Sequence, residues 1–271
     1  MTTLVMKFGG TSVGNAEAHA RAAEIVKTQV GRFDRLVVVV SAMRGVTDAL
    51  IRGARTAAAG DDQTYKAVVA ELRIRHYRAI DVLLEDAEAR AALLATVDGY
   101  LDEFDTFCHS VHVLGEVTPR AMDTVSSFGE RINARILAAL LRQRGAQSEA
   151  VDATEVVVTD ATFQKAAPLM DATRDRARAR LGPLLDDGVV PIVTGFIGAT
   201  ADGVTTTLGR GGSDYSAAIL ADALDADEVW IWTDVDGVMS ADPRIVPEAR
   251  VIPELSSSEV GELAYFGAKV L

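Results

Sequence analysis

The sequence predicts an α/β protein, a three-layer αβα sandwich with a largely parallel central sheet. Leu36-Val37-Val38-Val39-Val40 is an unbroken aliphatic run, the composition of a parallel strand covered on both faces. Shorter apolar runs recur along the chain and alternate with Ala-, Leu- and Glu-rich stretches of helical period. Where a run ends, a Gly- or Ser-bearing turn follows, and ligands of open α/β sheets bind at that end of the strands.

Taken in order, Leu4-Val5-Met6-Lys7-Phe8 reads as the first strand and runs into Gly9-Gly10. Asn15 is placed to cap a helix reaching about Val30, with Ala18, Ala22, Ile25 and Val26 on one face. After the valine strand comes the polar loop Ser41-Ala42-Met43-Arg44-Gly45-Val46-Thr47. Residues 61 to about 112 contain no proline and read as two or three helices inserted between sheet elements. Phe128-Gly129-Glu130-Arg131-Ile132-Asn133 is expected to enter an amphipathic helix ending near Gly145. Short strands are expected at 156–158 and 189–193, with an Arg-rich helix from Asp171 to Leu185 between them. Its arginines at 174, 176, 178 and 180 read as a solvated face. Gly195-Phe196-Ile197-Gly198 and Gly203-Val204-Thr205-Thr206-Thr207 lead into a Gly-rich turn at 208–214, whose helix Ser213 or Asp214 can cap. Glu228-Val229-Trp230-Ile231-Trp232 reads as another buried strand, and Ser256 to Glu259 has capping-box spacing. The chain stops at Ala268-Lys269-Val270-Leu271 with no cap, the end expected of a chain that continues.

The 271 residues, 49% hydrophobic and 24% charged, fit an ordinary globular protein with room for two lobes around a cleft. A net charge of −12 argues against a nucleic-acid partner. No apolar run reaches membrane-span length, and a single cysteine fits a reducing, cytoplasmic setting. Cys108 and His112 share a helix face at i,i+4, but with no third ligand nearby they read as a fortuitous pair.

The chemistry concentrates in two places. Lys7 lies on a strand expected to be buried, and a buried ammonium requires a partner or a ligand. It precedes the glycines, so this is not the Gly-x-x-x-x-Gly-Lys-Ser/Thr loop, and the GxGxxG dinucleotide pattern is missing from the first strand-to-helix turn. Leu208-Gly209-Arg210-Gly211-Gly212-Ser213-Asp214 opens a helix whose first N–H groups form an anion site, with the Arg210 fork beside it. A Gly-rich turn of this kind can also serve packing alone.

Lys7-Phe8-Gly9-Gly10-Thr11-Ser12, Ser41-Ala42-Met43 with Thr47-Asp48, Ser127-Phe128-Gly129-Glu130-Arg131, Thr207 to Asp214, and Thr233-Asp234-Val235-Asp236-Gly237 with Asp242-Pro243-Arg244 occur in one order. Together they resemble the catalytic domain of the aspartate kinases, in the amino-acid kinase superfamily, over essentially the whole chain. The resemblance implies one catalytic domain at 1–271, with 1–195 mainly the amino-acid-binding lobe and 196–271 mainly the nucleotide-binding lobe. It implies transfer of the ATP γ-phosphoryl to the side-chain carboxylate of L-aspartate, the first step of the lysine, threonine and methionine branch. A carboxylate of pKa about 4 is already ionised at neutral pH, so no general base is needed.

By the same resemblance, Lys7 stabilises the phosphoryl group and Asp214 orients Lys7. Gly9 and Gly10 line the phosphates, and Thr233, Asp234, Met239, Arg244 and Lys269 hold ATP. Met239 stands where the family commonly has tyrosine. Ser41, Thr47, Arg210, Gly211, Gly212 and Ser213 bind the amino acid, and Glu130 pairs with its ammonium group. Magnesium accompanies ATP and is held mainly by phosphate oxygens and water, with no protein ligand assigned. A homo-oligomer is compatible with the family, whose usual C-terminal ACT regulatory domains are absent from these residues. A sister kinase acting on a glutamate-type acid and a silent amino-acid-binding subunit are the alternatives. Glu130 argues against an N-acylated acceptor, which has no positive charge to pair with it.

Overall fold

A computed structural model of the chain describes residues 1–233, 237–242 and 245–265, in two compact units, Met1–Trp232 and Thr233–Leu271. The first unit contains a five-stranded sheet built from β1 (Thr3–Phe8), β2 (Arg35–Val40), β3 (Ser148–Val151), β4 (Val190–Thr194) and β7 (Glu228–Trp232). The order is β3-β4-β2-β1-β7, and every pairing is parallel. A separate antiparallel hairpin joins β5 (Ile197–Ala199) to β6 (Thr205–Thr207).

Strand periodicity explains the three layers. Leu4, Met6 and Phe8 of β1, with Leu36, Val38 and Val40 of β2, enter one apolar core; Val5, Val37 and Val39 enter another on the opposite face. The first core is closed by α1 (Ala16–Gln29), α2 (Val46–Ala58), α3 (Asp62–Leu83), α4 (Ala87–Leu114) and α5 (Pro119–Gln143). The second is closed by α6 (Met170–Asp186) and α7 (Gly212–Ala223). The expected helical insertion is thus α3 and α4, which join the first layer. No helix among the described residues is long and apolar enough to cross a membrane.

Local signals explain most boundaries. Asn15 caps α1 by accepting the Ala18 N–H at 2.9 Å. In the second unit, Ser256 and Glu259 form the expected box at the start of α8 (Ser257–Tyr265), the Ser256 N–H donating to Glu259 Oε2 at 2.7 Å.

Five expectations are corrected. α5 starts at Pro119, not Phe128, because Thr118 caps it and proline occupies its first turn. Residues 156–158 are buried but form no strand; a 3-10 turn at Ala153–Glu155 diverts the chain, and the sheet takes Ser148–Val151 instead. α7 is capped by Gly211 in the left-handed region at φ 73°, so Ser213 and Asp214 lie inside its first turn and are free for other work. β7 ends the sheet with Glu228 and Val229 exposed. The α6 arginines are not merely solvated: Arg174 reaches Asp222, Arg178 reaches Asp225, and Arg180 pairs with both Glu149 and Glu155. At their partial exposure each such pair contributes roughly 0–1 kcal/mol.

Gly129 sets how closely α5 approaches the loop after β2. A Cβ there would lie 2.7 Å from the Ala42 Cβ and 3.0 Å from Val46 Cγ1. Alanine would gain about 1 kcal/mol of helix propensity, but overpacking costs roughly 1–3 kcal/mol. We therefore expect Gly129→Ala to lower the urea midpoint at unchanged m; a raised midpoint would show that the contact is loose.

Candidate active site

The carboxyl ends of β1 and β2 open into a cleft of about 510 Å³ in the first unit. Its lining includes Lys7, Gly9, Gly10, Ser41, Thr47 and Glu130, and the whole stretch from Gly209 to Asp214. All the site residues that the sequence predicts within this unit therefore meet in one cavity.

Lys7 is the one charged residue of β1, opposite Val39 on one side and Ile231 on the other. Strand alternation sends it to the α7 face, where its Nζ lies 2.5 Å from Asp214 Oδ1. The lysine side chain is 8% exposed and the aspartate 27%, so the pair sits at the cleft wall with one side toward solvent. Gly9 makes room for the ammonium, since a Cβ there would come 3.2 Å from Lys7 Nζ. At Gly10 a Cβ would lie 3.0 Å from the Ala42 carbonyl oxygen. Both glycines therefore let neighbouring groups at the cleft approach the backbone more closely than a side chain would permit.

Glu130 projects from α5 and is 3% exposed. Its Oε1 accepts the Ala42 N–H at 3.1 Å, while Oε2 is buried with no hydrogen-bond partner. Burial pushes its pKa up to about 8, against the opposing pull of the Ala42 N–H. A carboxyl group held so, with one oxygen anchored and one vacant, is ready for a cation that enters the cleft.

The Gly-rich turn is shaped from below. Gly209 and Gly211 adopt positive φ, 80° and 73°, which brings the turn round into α7. Arg210 is exposed at the rim and its guanidinium has no ion pair among the described residues. Ser213 packs against Gly195, where a Cβ would lie 2.7 Å from the Ser213 Oγ. Gln164 and Phe196, both at φ 68°, also line the cleft. Non-glycine residues in this region carry strain, which concentrates at ligand-binding sites.

Sequence reasoning missed Asp123. This fully buried carboxylate accepts the Thr207 N–H at 3.0 Å, the Thr207 hydroxyl at 2.8 Å and the Gln164 N–H at 2.9 Å. It thereby fixes the end of β6, from which the Gly-rich turn departs. The available signal was helical spacing: Asp123, Glu130 and Asn133 fall near one stripe of a helix that is otherwise largely apolar.

In the second unit, Thr233 and Met239 are described, and Met239 forms an isolated antiparallel bridge with Val251. Asp234, Arg244 and Lys269 lie outside the described residues. Cys108 is buried in the first core, and burial pushes its thiol up to about 12. Among the described residues, no three His, Cys, Asp or Glu side chains are grouped to hold a metal ion.

A model of the amino acid kinase family matches residues 2–271. The chain is 36% identical to the lysine-sensitive aspartokinase 3 of Escherichia coli, covering 99% of itself and 57% of that protein. It is 35% identical to the chloroplastic aspartokinase 1 of Arabidopsis thaliana, over 99% of this chain and 46% of that one. The structure of E. coli aspartokinase III in complex with aspartate and ADP matches at a TM-score of 0.89 and 35% identity, over 99% of this chain and 57% of that chain. The chain spans about half the length of the curated relatives it matches.

Glu130 makes stability depend on pH. Its folded pKa of about 8 exceeds the ordinary 4.5, so the folded state holds a proton that the unfolded chain has released. Its contribution is full below the ordinary value and is lost as pH rises toward and through 8. Urea midpoints of the ligand-free protein should fall over this window relative to Glu130→Gln, whose neutral amide has no proton to lose. Parallel pH profiles for the two proteins would remove Glu130 as the source.

Proposed function

The chain belongs to the amino acid kinase family, and from that premise we propose that it carries the catalytic machinery of an aspartate kinase. The reaction joins a side-chain carboxylate oxygen of L-aspartate to the γ-phosphorus of ATP and breaks the bond to the β-phosphate oxygen, releasing ADP. The observation that carries this reading is Glu130: a buried carboxyl group with one oxygen unengaged, which an entering cation would hold ionised, in the same cleft as the Lys7–Asp214 pair. Such a group selects an acceptor that brings its own cation, a free α-ammonium. The bound aspartate and ADP of the E. coli relative support the same substrates.

The roles follow from charge and position. The acceptor carboxylate is already ionised, so the protein supplies alignment and charge neutralisation instead of a base. Lys7 meets the negative charge that spreads over the transferring phosphoryl group, and Asp214 orients its ammonium. Gly9 and Gly10 present backbone to the phosphates. Arg210, exposed at the rim and without an ion pair among the described residues, takes a carboxylate of the amino acid with its planar fork, next to Gly211, Gly212, Ser213, Ser41 and Thr47. We keep 1–195 as mainly the amino-acid side and 196–271 as mainly the nucleotide side, with Thr233, Asp234, Met239, Arg244 and Lys269 as nucleotide contacts. The donors present suit a magnesium ion carried on the nucleotide: Asp214 is engaged by Lys7, and no acidic cluster forms among the described residues. Magnesium, when bound, supplies charge neutralisation on the phosphates.

Trapping the acyl phosphate with hydroxylamine tests the reaction. Signal is expected with aspartate, ATP and magnesium, and none with N-acetylaspartate; equal signal from both would overturn the role of Glu130. Lys7→Ala should lower turnover by roughly 10²–10³-fold, the scale for losing one transition-state donor. Near-normal turnover in that variant would take Lys7 out of the chemistry.

A further inference from the structure

We propose that His19, on α1 and outside the cleft, is a positioning residue that sets the orientation of Glu130 through Asn133 and the Ser41–Ala42 peptide. The inference rests on reading Glu130 as the partner of the substrate's ammonium group, and it adds how that carboxylate is aimed.

The peptide unit between Ser41 and Ala42 is gripped at both ends by one helix. Its carbonyl oxygen, on Ser41, accepts from Asn133 Nδ2 at 2.6 Å. Its N–H, on Ala42, donates to Glu130 Oε1 at 3.1 Å. Glu130 and Asn133 are three residues apart on α5, so both reach the same peptide from one face. The plane of this peptide therefore fixes which oxygen of Glu130 is anchored and leaves Oε2 unengaged.

The orientation of Asn133 depends in turn on His19. The Ser41 carbonyl can only accept, so the Asn133 amide must present its NH₂ there and its Oδ1 on the other side. That Oδ1 lies 2.6 Å from His19 Nε2, which must carry a proton to meet it. His19 and Asn133 are both fully buried, so no water is at hand to replace either partner. Nδ1 of the ring lies 2.9 Å from the Asn15 carbonyl in the preceding turn, but burial keeps the ring neutral, and with its proton on Nε2 it has none on Nδ1 to donate there. The series runs from His19 on α1 to the unengaged carboxyl oxygen of Glu130 in the cleft.

The two ring nitrogens give a test that general destabilisation does not mimic. Glutamine at 19 can place its amide NH₂ near the position of Nε2, whereas asparagine reaches only the position of Nδ1. In ligand-free protein, amide exchange at Ala42 should accelerate roughly tenfold in His19→Asn and in Asn133→Ala, and stay near wild type in His19→Gln. The same two impaired variants should raise the KM for aspartate about tenfold, the effect of losing one buried hydrogen bond, with the KM for ATP within about twofold. The double variant His19→Asn/Asn133→Ala should be no worse than the poorer single one, because both act on one series. Unchanged Ala42 exchange, equal behaviour of the Gln and Asn variants, or additive effects in the double variant would overturn the proposal. Faster Ala42 exchange with an unchanged aspartate KM would instead place the failure in the assignment of Glu130 to the ammonium group.

Discussion

A cation in the middle of a parallel sheet constrains this molecule more than any other single feature. Lys7 stands on β1, paired on both sides, among residues that are otherwise apolar. Withdrawing an ammonium from water costs several kcal/mol unless an opposite charge and hydrogen bonds compensate. Asp214 supplies that charge at 2.5 Å, which requires α7 to begin opposite the end of β1. The Gly-rich turn must then bring the chain from β6 to this point in a few residues, and the left-handed Gly209 and Gly211 allow it. A buried ion pair is weak evidence for stability in itself. Here it holds a charge at the mouth of a cleft, where charge serves chemistry.

α5 imposes a second order on the same cleft. Its buried length is mainly apolar, and three of its buried polar side chains are spent on backbone belonging to other segments. Asp123 holds Thr207 and Gln164, Asn133 holds the Ser41 carbonyl, and Glu130 holds the Ala42 N–H. Each of these bonds fixes a loop at the cleft against a rigid helix. Unmade hydrogen bonds at buried sites are costly, so a loop that swung away would leave its helix partner unsatisfied. The exception is Glu130 Oε2, which has no hydrogen-bond partner among the described residues and is left to a ligand. The close packing of Gly129 on Ala42 makes these reaches short.

Strain and satisfaction are thus distributed unevenly. Two of the non-glycine residues with positive φ, Gln164 and Phe196, line the cleft, and each is tied into the surrounding structure. The Gln164 N–H goes to Asp123, and the Phe196 N–H goes to the Ser216 hydroxyl on α7. These bonds offset unfavourable backbone conformations that shape the floor of the cavity. The α6 arginines perform the more ordinary task of tying the second helical layer to β3 and to the end of α7.

The sequence by itself determined the class of fold, because unbroken valine runs and helical period have few other solutions in water. It also determined much of the chemical inventory of the cleft: Lys7, the glycines, Arg210 and Asp214 are legible as residue types out of place in a strand or a turn, whereas Glu130 is legible only through the resemblance to the aspartate kinases. Caps carried by one side chain, such as Asn15 and Ser256, were legible for the same local reason. Only the tertiary structure decided the rest. That Ser148–Val151 and not 156–158 completes the sheet depends on which segment reaches the edge of β4. That Asp123, Asn133 and His19 serve the cleft depends on hydrogen bonds spanning 84, 92 and 114 residues of chain, and no local pattern encodes a partner at that distance. That one carboxyl oxygen of Glu130 stays free is likewise a property of two helices and a loop meeting. Local chemistry selects the residues, and long-range packing assigns their partners.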